Sequence, residues 1–140
     1  MGNDSTTNHL PGDPEEWVRK IERVYQTYDG AGASQGYLDD AVLVYGADQH
    51  QSGAPLRERG KKWFAYAKDL KITKKYIAHT NDTIVTTWDS IYSNPETGEK
   101  VRERGIEYFV FRNGKVLEQQ AWQHSWPDGH KPAEKGISTD

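Results

Sequence analysis

Apolar positions along the chain change period once. Between residues 14 and 29, Trp17, Ile21, Val24, Tyr25 and Tyr28 recur at helical spacing and form one stripe of an amphipathic helix. Asp13 followed by Pro14, Glu15 and Glu16 predicts its start: a capping residue, a proline at the first helical position, then acids at the positive end of the dipole. Gly30 and Gly32 predict its end. After a short loop or turn, AVLVYGA (41–47) reads as a strand and DQHQSGAPLRERG (48–60) as a long irregular connection. Leu56, Trp63, Phe64, Ala67 and Leu70 return to helical phase, in a helix ending near Lys71. From there the period is two. ITKKYIAHT, TIVTTWDSIYSN, VRERGIEYFVF and KVLEQQAWQHSW are four strands, divided at Asn81-Asp82, at NPETG (94–98) and at Asn113-Gly114. Helices followed by an antiparallel meander predict an α+β fold, with helices on one face of a curled sheet.

Composition sharpens this picture. Only 34% of the 140 residues are hydrophobic, yet five Trp, eight Tyr and three Phe supply large buried areas, so one domain with a real core is expected over 14–126. The ends, 1–13 and 127–140, are polar and rich in Gly and Pro, and both read as flexible tails. A net charge of −3 without a dense Lys/Arg stretch argues against nucleic acid. The absence of cysteine and the scattered His9, His50, His79, His124 and His130 argue against a metal centre. No apolar run approaches a membrane span, no export signal is visible, and neither GxGxxG nor a P-loop is present. A cytoplasmic protein without cofactor is the expectation.

The element order, LDDAVLVYG after the first helix, and FVFRNGKVLEQQAW near the end together resemble the SnoaL-like branch of the nuclear-transport-factor-2-like superfamily over 14–126. The resemblance implies a cone: a curved antiparallel sheet wrapped by helices and open at one end onto an apolar pocket. Families of this fold include polyketide cyclases, ketosteroid isomerases, limonene-epoxide hydrolases, scytalone dehydratases and non-catalytic modules, so fold alone does not name a reaction. Glu107 in GIEYF falls where the isomerases keep a pocket carboxylic acid, and Tyr45 falls where they carry a carboxylate base. The Asp-Arg-Asp set of the epoxide hydrolases is replaced by Ser90, Trp88 and Ala121. Tyr28, Asp29 and Tyr45 match the Tyr-Asp pair and strand tyrosine of the dehydratases.

Phase supplies the pocket lining. Glu103, Gly105, Glu107, Phe109 and Phe111 share one strand face, and Trp88 and Ser90 share another. Glu103, nearer the open end, reads as a solvated rim charge. The hairpin at Asn113-Gly114 leaves two registers open. A two-residue turn pairs Glu107 with Gln120 and turns Trp122, His124 and Trp126 to its face. A three-residue turn with a bulge puts Leu117, Gln119, Ala121 and Gln123 there instead. The phase implied by the resemblance favours the second.

The expected activity is therefore acid/base isomerisation, cyclisation or dehydration of a hydrophobic, oxygenated small molecule. Glu107 would be the acid/base, kept neutral by an apolar wall, and Tyr45 with Tyr28 would polarise the substrate. Tyr25, Trp63, Trp88, Ser90, Phe109, Gln119 and Gln123 would bind it. The alternative is a non-catalytic ligand-binding or dimerisation module, in which Trp63, Trp88 and Phe109 plug the cone. In the favoured register Ile106, Tyr108, Val110, Trp122 and Trp126 share the outer face, which predicts a homodimer.

Overall fold

A computed structural model of the chain describes residues 7–130. The described elements are α1 (Pro14–Gln26), α2 (Gly30–Gln35), β1 (Tyr37–Tyr45), β2 (Gln49–Ser52), α3 (Gly53–Tyr66), β3 (Lys68–His79), β4 (Thr83–Ser93), β5 (Lys100–Arg112) and β6 (Lys115–Pro127). The strands form one curved, unclosed sheet in the order β2-β1-β6-β5-β4-β3. β1 runs parallel to β6, and the other neighbours are antiparallel. This is the α+β arrangement that the change of period predicts.

Local chemistry sets the element ends. Asp13 accepts a hydrogen bond from the Glu16 amide at 3.0 Å and caps α1. Two elements depart from the sequence reading. α2 replaces the expected turn after Gly30: Asp29 caps it through the Gly32 amide at 2.9 Å, and its residues GAGASQ lack the large apolar side chains that would display a period. β2 and the first turns of α3 occupy the expected irregular connection. Gly53 takes the left-handed backbone at φ 62°, and Pro55 sits in the helix's first turn, where its missing N–H has no intrahelical partner to lose. α3 ends at Tyr66 rather than near Lys71, because Leu70, Ile72 and Lys74 alternate inward as part of β3.

The hairpin combines features of both registers. Asn113 (φ 52°) and Gly114 (φ 82°) are both left-handed, as a two-residue type I′ turn requires. Arg112 pairs with Lys115 and Phe111 with Val116, but Val110 then pairs with Glu118 and Glu107 with Ala121. Leu117 is the extra residue of a bulge one step beyond the turn. The favoured face is reached, with Gln119 and Ala121 inward and Trp122 outward, but by a bulge inside β6 instead of a three-residue turn. Val116, not Leu117, takes the buried position beside Phe111.

The helices cover the inner face. Val18 packs with Ile84, Phe109, Phe111 and Val116, and Trp17 meets Phe109 and Phe111 edge-on at 4.8 and 5.1 Å. Each large apolar side chain so buried contributes roughly 1.5–3 kcal/mol. α1 also closes the free edge of β3. Glu22 accepts from the Lys74 amide at 2.7 Å, Arg19 donates to the Lys74 carbonyl, and Gln26 donates to the Ile72 carbonyl at 3.1 Å.

Residues 7–13, expected as part of a tail, lie against the sheet turns. The His9 amide donates to the Asn81 carbonyl at 2.8 Å, and the Gly114 amide donates to the His9 carbonyl at 2.9 Å. Leu10 packs on the cluster around Val18. At the other end Pro127 closes β6, and Asp128 pairs with Arg102 at 2.6 Å. Residues 1–6 and 131–140 lie outside the described residues.

Candidate active site

Between the inner sheet face and the helices lies a cavity of about 400 Å³, within the range usual for small-molecule sites. Its aromatic walls come from Tyr25 of α1, Trp63 and Tyr66 of α3, and Trp88 and Tyr92 of β4. Trp63 and Trp88 line the space and do not plug it. Strand alternation brings polar groups to the same space: Lys74 from β3, Ser90 from β4, Glu103 and Glu107 from β5, and Gln119 and Gln123 from β6. Tyr45 closes β1 beside them, while Gln49, Gln51, Arg59 and Lys62 also border the cavity.

Glu107 and Lys74 form a buried ion pair. The Lys74 ammonium donates to the carboxylate at 2.8 Å, with both side chains almost fully enclosed. The ammonium also lies 5.1 Å from the ring centroids of both Tyr25 and Trp88. The other oxygen of Glu107 accepts from the Gln119 amide at 3.3 Å, and Tyr37 donates to the Gln119 oxygen. Glu107 was expected as a lone acid held neutral by an apolar wall. The structure instead sets a compensating cation against it, because Lys74 is in phase with Leu70 and Ile72 and points inward with them.

Glu103 departs from the sequence reading most. Expected as a solvated rim charge, it is 7% exposed. Its carboxylate faces Trp88 of the neighbouring strand, whose indole N–H donates to it at 2.9 Å. The ring can lie there because residue 105 is glycine, where a Cβ would stand 2.2 Å from Trp88 ring atoms. Burial pushes the Glu103 carboxyl above the ordinary range, opposed in part by the Trp88 hydrogen bond and by the charges of Lys74 and Arg59. The Gln123 amide, with its nitrogen turned toward them, donates to Glu103 at 2.8 Å and touches the Tyr45 hydroxyl. Burial, followed by the charge of Glu103, raises the Tyr45 phenol and keeps it a proton donor. Burial likewise raises Tyr25, and raises Tyr37 strongly.

Ser90 supplies an open valence. Its hydroxyl is buried on the cavity wall and has no hydrogen-bond partner among the described residues. The Thr86 hydroxyl is also unpartnered, and nothing in the structure explains it.

Of the expected site residues, Glu107, Tyr45, Tyr25, Trp63, Trp88, Ser90, Gln119 and Gln123 meet at this cavity. Two do not. Tyr28 turns away in a left-handed conformation (φ 55°), stacks on Phe64, donates to the Ala67 carbonyl at 2.7 Å and accepts from the Leu70 amide at 2.8 Å. It ties α1 to the α3–β3 junction. Phe109 packs behind the cavity against Trp17, because α1 covers that part of the sheet. The sequence reading also missed Lys74 and Arg59. Inward phase with Ile72 signals Lys74, whereas Arg59 fell in a segment read as irregular. Among the described residues no group of three or more His, Asp or Glu stands where it could hold a metal ion. No helix among them is long and apolar enough to cross a membrane.

The family model of the SnoaL-like domain matches residues 18–119. Among curated proteins none matches the chain. Solved structures that resemble it do so at low identity. SalBIII, an epoxide hydrolase/cyclase-like enzyme of pyran ring formation in salinomycin, superposes with a TM-score of 0.68 at 14% identity, over 79% of this chain and 89% of that one. A ketosteroid isomerase-like protein from Erwinia carotovora atroseptica gives 0.62 at 17% identity, over 78% and 92%. A nuclear-transport-factor-2-like protein from Burkholderia thailandensis gives 0.66 at 12% identity, over 80% and 91%.

Proposed function

Starting from the fact that the chain belongs to the SnoaL-like domain family, we propose that it is an acid/base enzyme acting on a hydrophobic, oxygenated small molecule in the cavity. The observation that carries this reading is the enclosure of two unlike carboxyl groups in one aromatic space. Glu107 is matched by Lys74 at 2.8 Å, whereas Glu103 faces an indole N–H, and burial raises its proton affinity. Environments that separate two carboxyls in this way separate their roles. Glu103 moves the proton. Lys74, steadied by Glu107, turns its remaining N–H donors toward a substrate oxygen that gains negative charge as the proton leaves. The Tyr45 and Ser90 hydroxyls add hydrogen bonds to the same oxygen or to the leaving hydroxyl. Isomerisation, cyclisation and dehydration of an activated substrate all begin with this step.

The test is proton exchange beside a carbonyl, followed by NMR in D₂O on 2-tetralone, a bicyclic ketone of suitable size. The wild type should accelerate exchange of the hydrogens next to the carbonyl. Glu103→Gln should lower the acceleration by roughly 10²- to 10⁴-fold. Saturable binding of the ketone without accelerated exchange would make the protein a binding module instead.

The same reading extends to assembly: two copies pair through their outer sheet faces. Ile106 and Trp122 are 44% and 42% exposed there, beside half-buried Tyr108, Val110 and Trp126.

A further inference from the structure

The charged groups around the cavity are not all paired. Glu107 is committed to Lys74, and Glu103 accepts from Trp88 and Gln123. Arg59, two turns into α3, has no carboxylate within ion-pair distance among the described residues. Its guanidinium lies 4.7 Å from the Tyr45 ring centroid, over the ring face, and its one polar contact there is a long 3.4 Å bond to the Gln51 amide oxygen. It is half-buried, so water satisfies its donors only in part. Lys62, one turn further along the helix, borders the same space. A planar fork of donors, held by an aromatic face and left without an anion, is a preorganised carboxylate receptor.

We propose that Arg59 is an anion subsite of this cavity and that the ligand is an amphipathic carboxylate. Its ring body lies between Trp63 and Trp88, and its carboxylate is received by Arg59 with help from the Gln51 amide. The inference rests on the cavity being a ligand site, as in the function proposed above, and it narrows the substrate to an oxygenated acid. The geometry also fixes a direction. The acid group stays at the Arg59 side, and the carbon skeleton extends toward Lys74 and Ser90.

The experiment compares 2-naphthoate with its neutral counterpart 2-naphthamide, with binding followed by quenching of the cavity tryptophans and by calorimetry. The wild type should bind naphthoate about tenfold or more tightly than naphthamide, the size expected for a hydrogen bond to a charged group. That preference should shrink as salt is raised. Arg59→Gln should erase the preference by weakening naphthoate far more than naphthamide, and Arg59→Lys should restore part of it. Naphthamide bound as tightly as naphthoate by the wild type would overturn the subsite while leaving the proposed function standing. A preference that survives in Arg59→Gln would also overturn it and move the anion to Lys62 or Lys74. Failure of both probes to bind would remove the subsite together with the cavity reading on which it rests.

Discussion

At the scale of single residues, the site depends on a glycine and an indole. Gly105 leaves room for the Trp88 ring, Trp88 donates its indole N–H to Glu103, and burial raises the carboxyl's proton affinity although that hydrogen bond opposes the rise. A raised folded-state pKa has a definite sign in stability. Above the ordinary glutamate value of about 4.3 the unfolded chain has lost this proton, while the folded chain still holds it. The folded state then binds more protons, so stability falls as pH rises through that window and levels off once both states are ionised. Glu103→Gln cannot ionise, and its amide oxygen can still accept from Trp88. Its stability relative to wild type should therefore climb with pH across the window and then plateau, as read from urea unfolding at a series of pH values. Parallel wild-type and variant curves would mean that Glu103 titrates in the fold as it does in the open chain. None of this was legible in VRERGIEYF, because phase puts Glu103 on the inner face but cannot show that an indole N–H from β4 meets it there.

At the scale of elements, β3 and α1 form one device. Lys74 points its side chain at Glu107 while its backbone is held by Arg19 and Glu22 of α1, so strand edge, helix and cavity charge meet at one residue. Removing one member of a buried pair leaves the other charge uncompensated, at a cost of about 3–5 kcal/mol, whereas neutralising both leaves no uncompensated charge. Lys74→Met should therefore destabilise strongly. Lys74→Met with Glu107→Gln should recover a large part of the loss, and urea unfolding of the two singles and the double closes the cycle. Additive losses would show that the two groups do not interact. Elements with a strong period were readable: α1, and the strands β4, β5 and β6. Those without large apolar side chains were not, which is why α2, β2 and the start of α3 read as loop. The β6 bulge was half readable. Asn113-Gly114 announces a type I′ turn, but the shift at Leu117 comes from the need to bury both Val116 and Gln119, a tertiary demand with no local signature.

At the scale of the whole molecule, the two faces of the sheet ask for different partners. The inner face is satisfied by helices and encloses the cavity. On the outer face Ile106 and Trp122 oppose each other across β5 and β6, with Tyr108 and Val110 beside them, and the Trp126 ring stacks on His124. The Tyr108 hydroxyl is occupied by Gln120 at 2.5 Å, so that side chain presents mainly its ring. The charged groups lie toward one end of the patch, where Arg104 pairs with Asp89 at 2.8 Å and Arg102 with Asp128 at 2.6 Å. An apolar patch flanked by ion pairs suits a two-fold interface, which would bury the same residues on both copies. Full burial of a large apolar side chain is worth roughly 1.5–3 kcal/mol, so Trp122 and Ile106 from each of two chains can offset the loss of translational and rotational freedom on pairing. Light scattering after size exclusion at low micromolar concentration should give twice the 16.0 kDa of one chain for the wild type. Trp122→Glu places two carboxylates near the centre of the pair without touching the cavity, and it should give the single-chain mass with ligand affinity unchanged. A wild-type mass of one chain would remove the dimer and leave the outer tryptophans without an explanation.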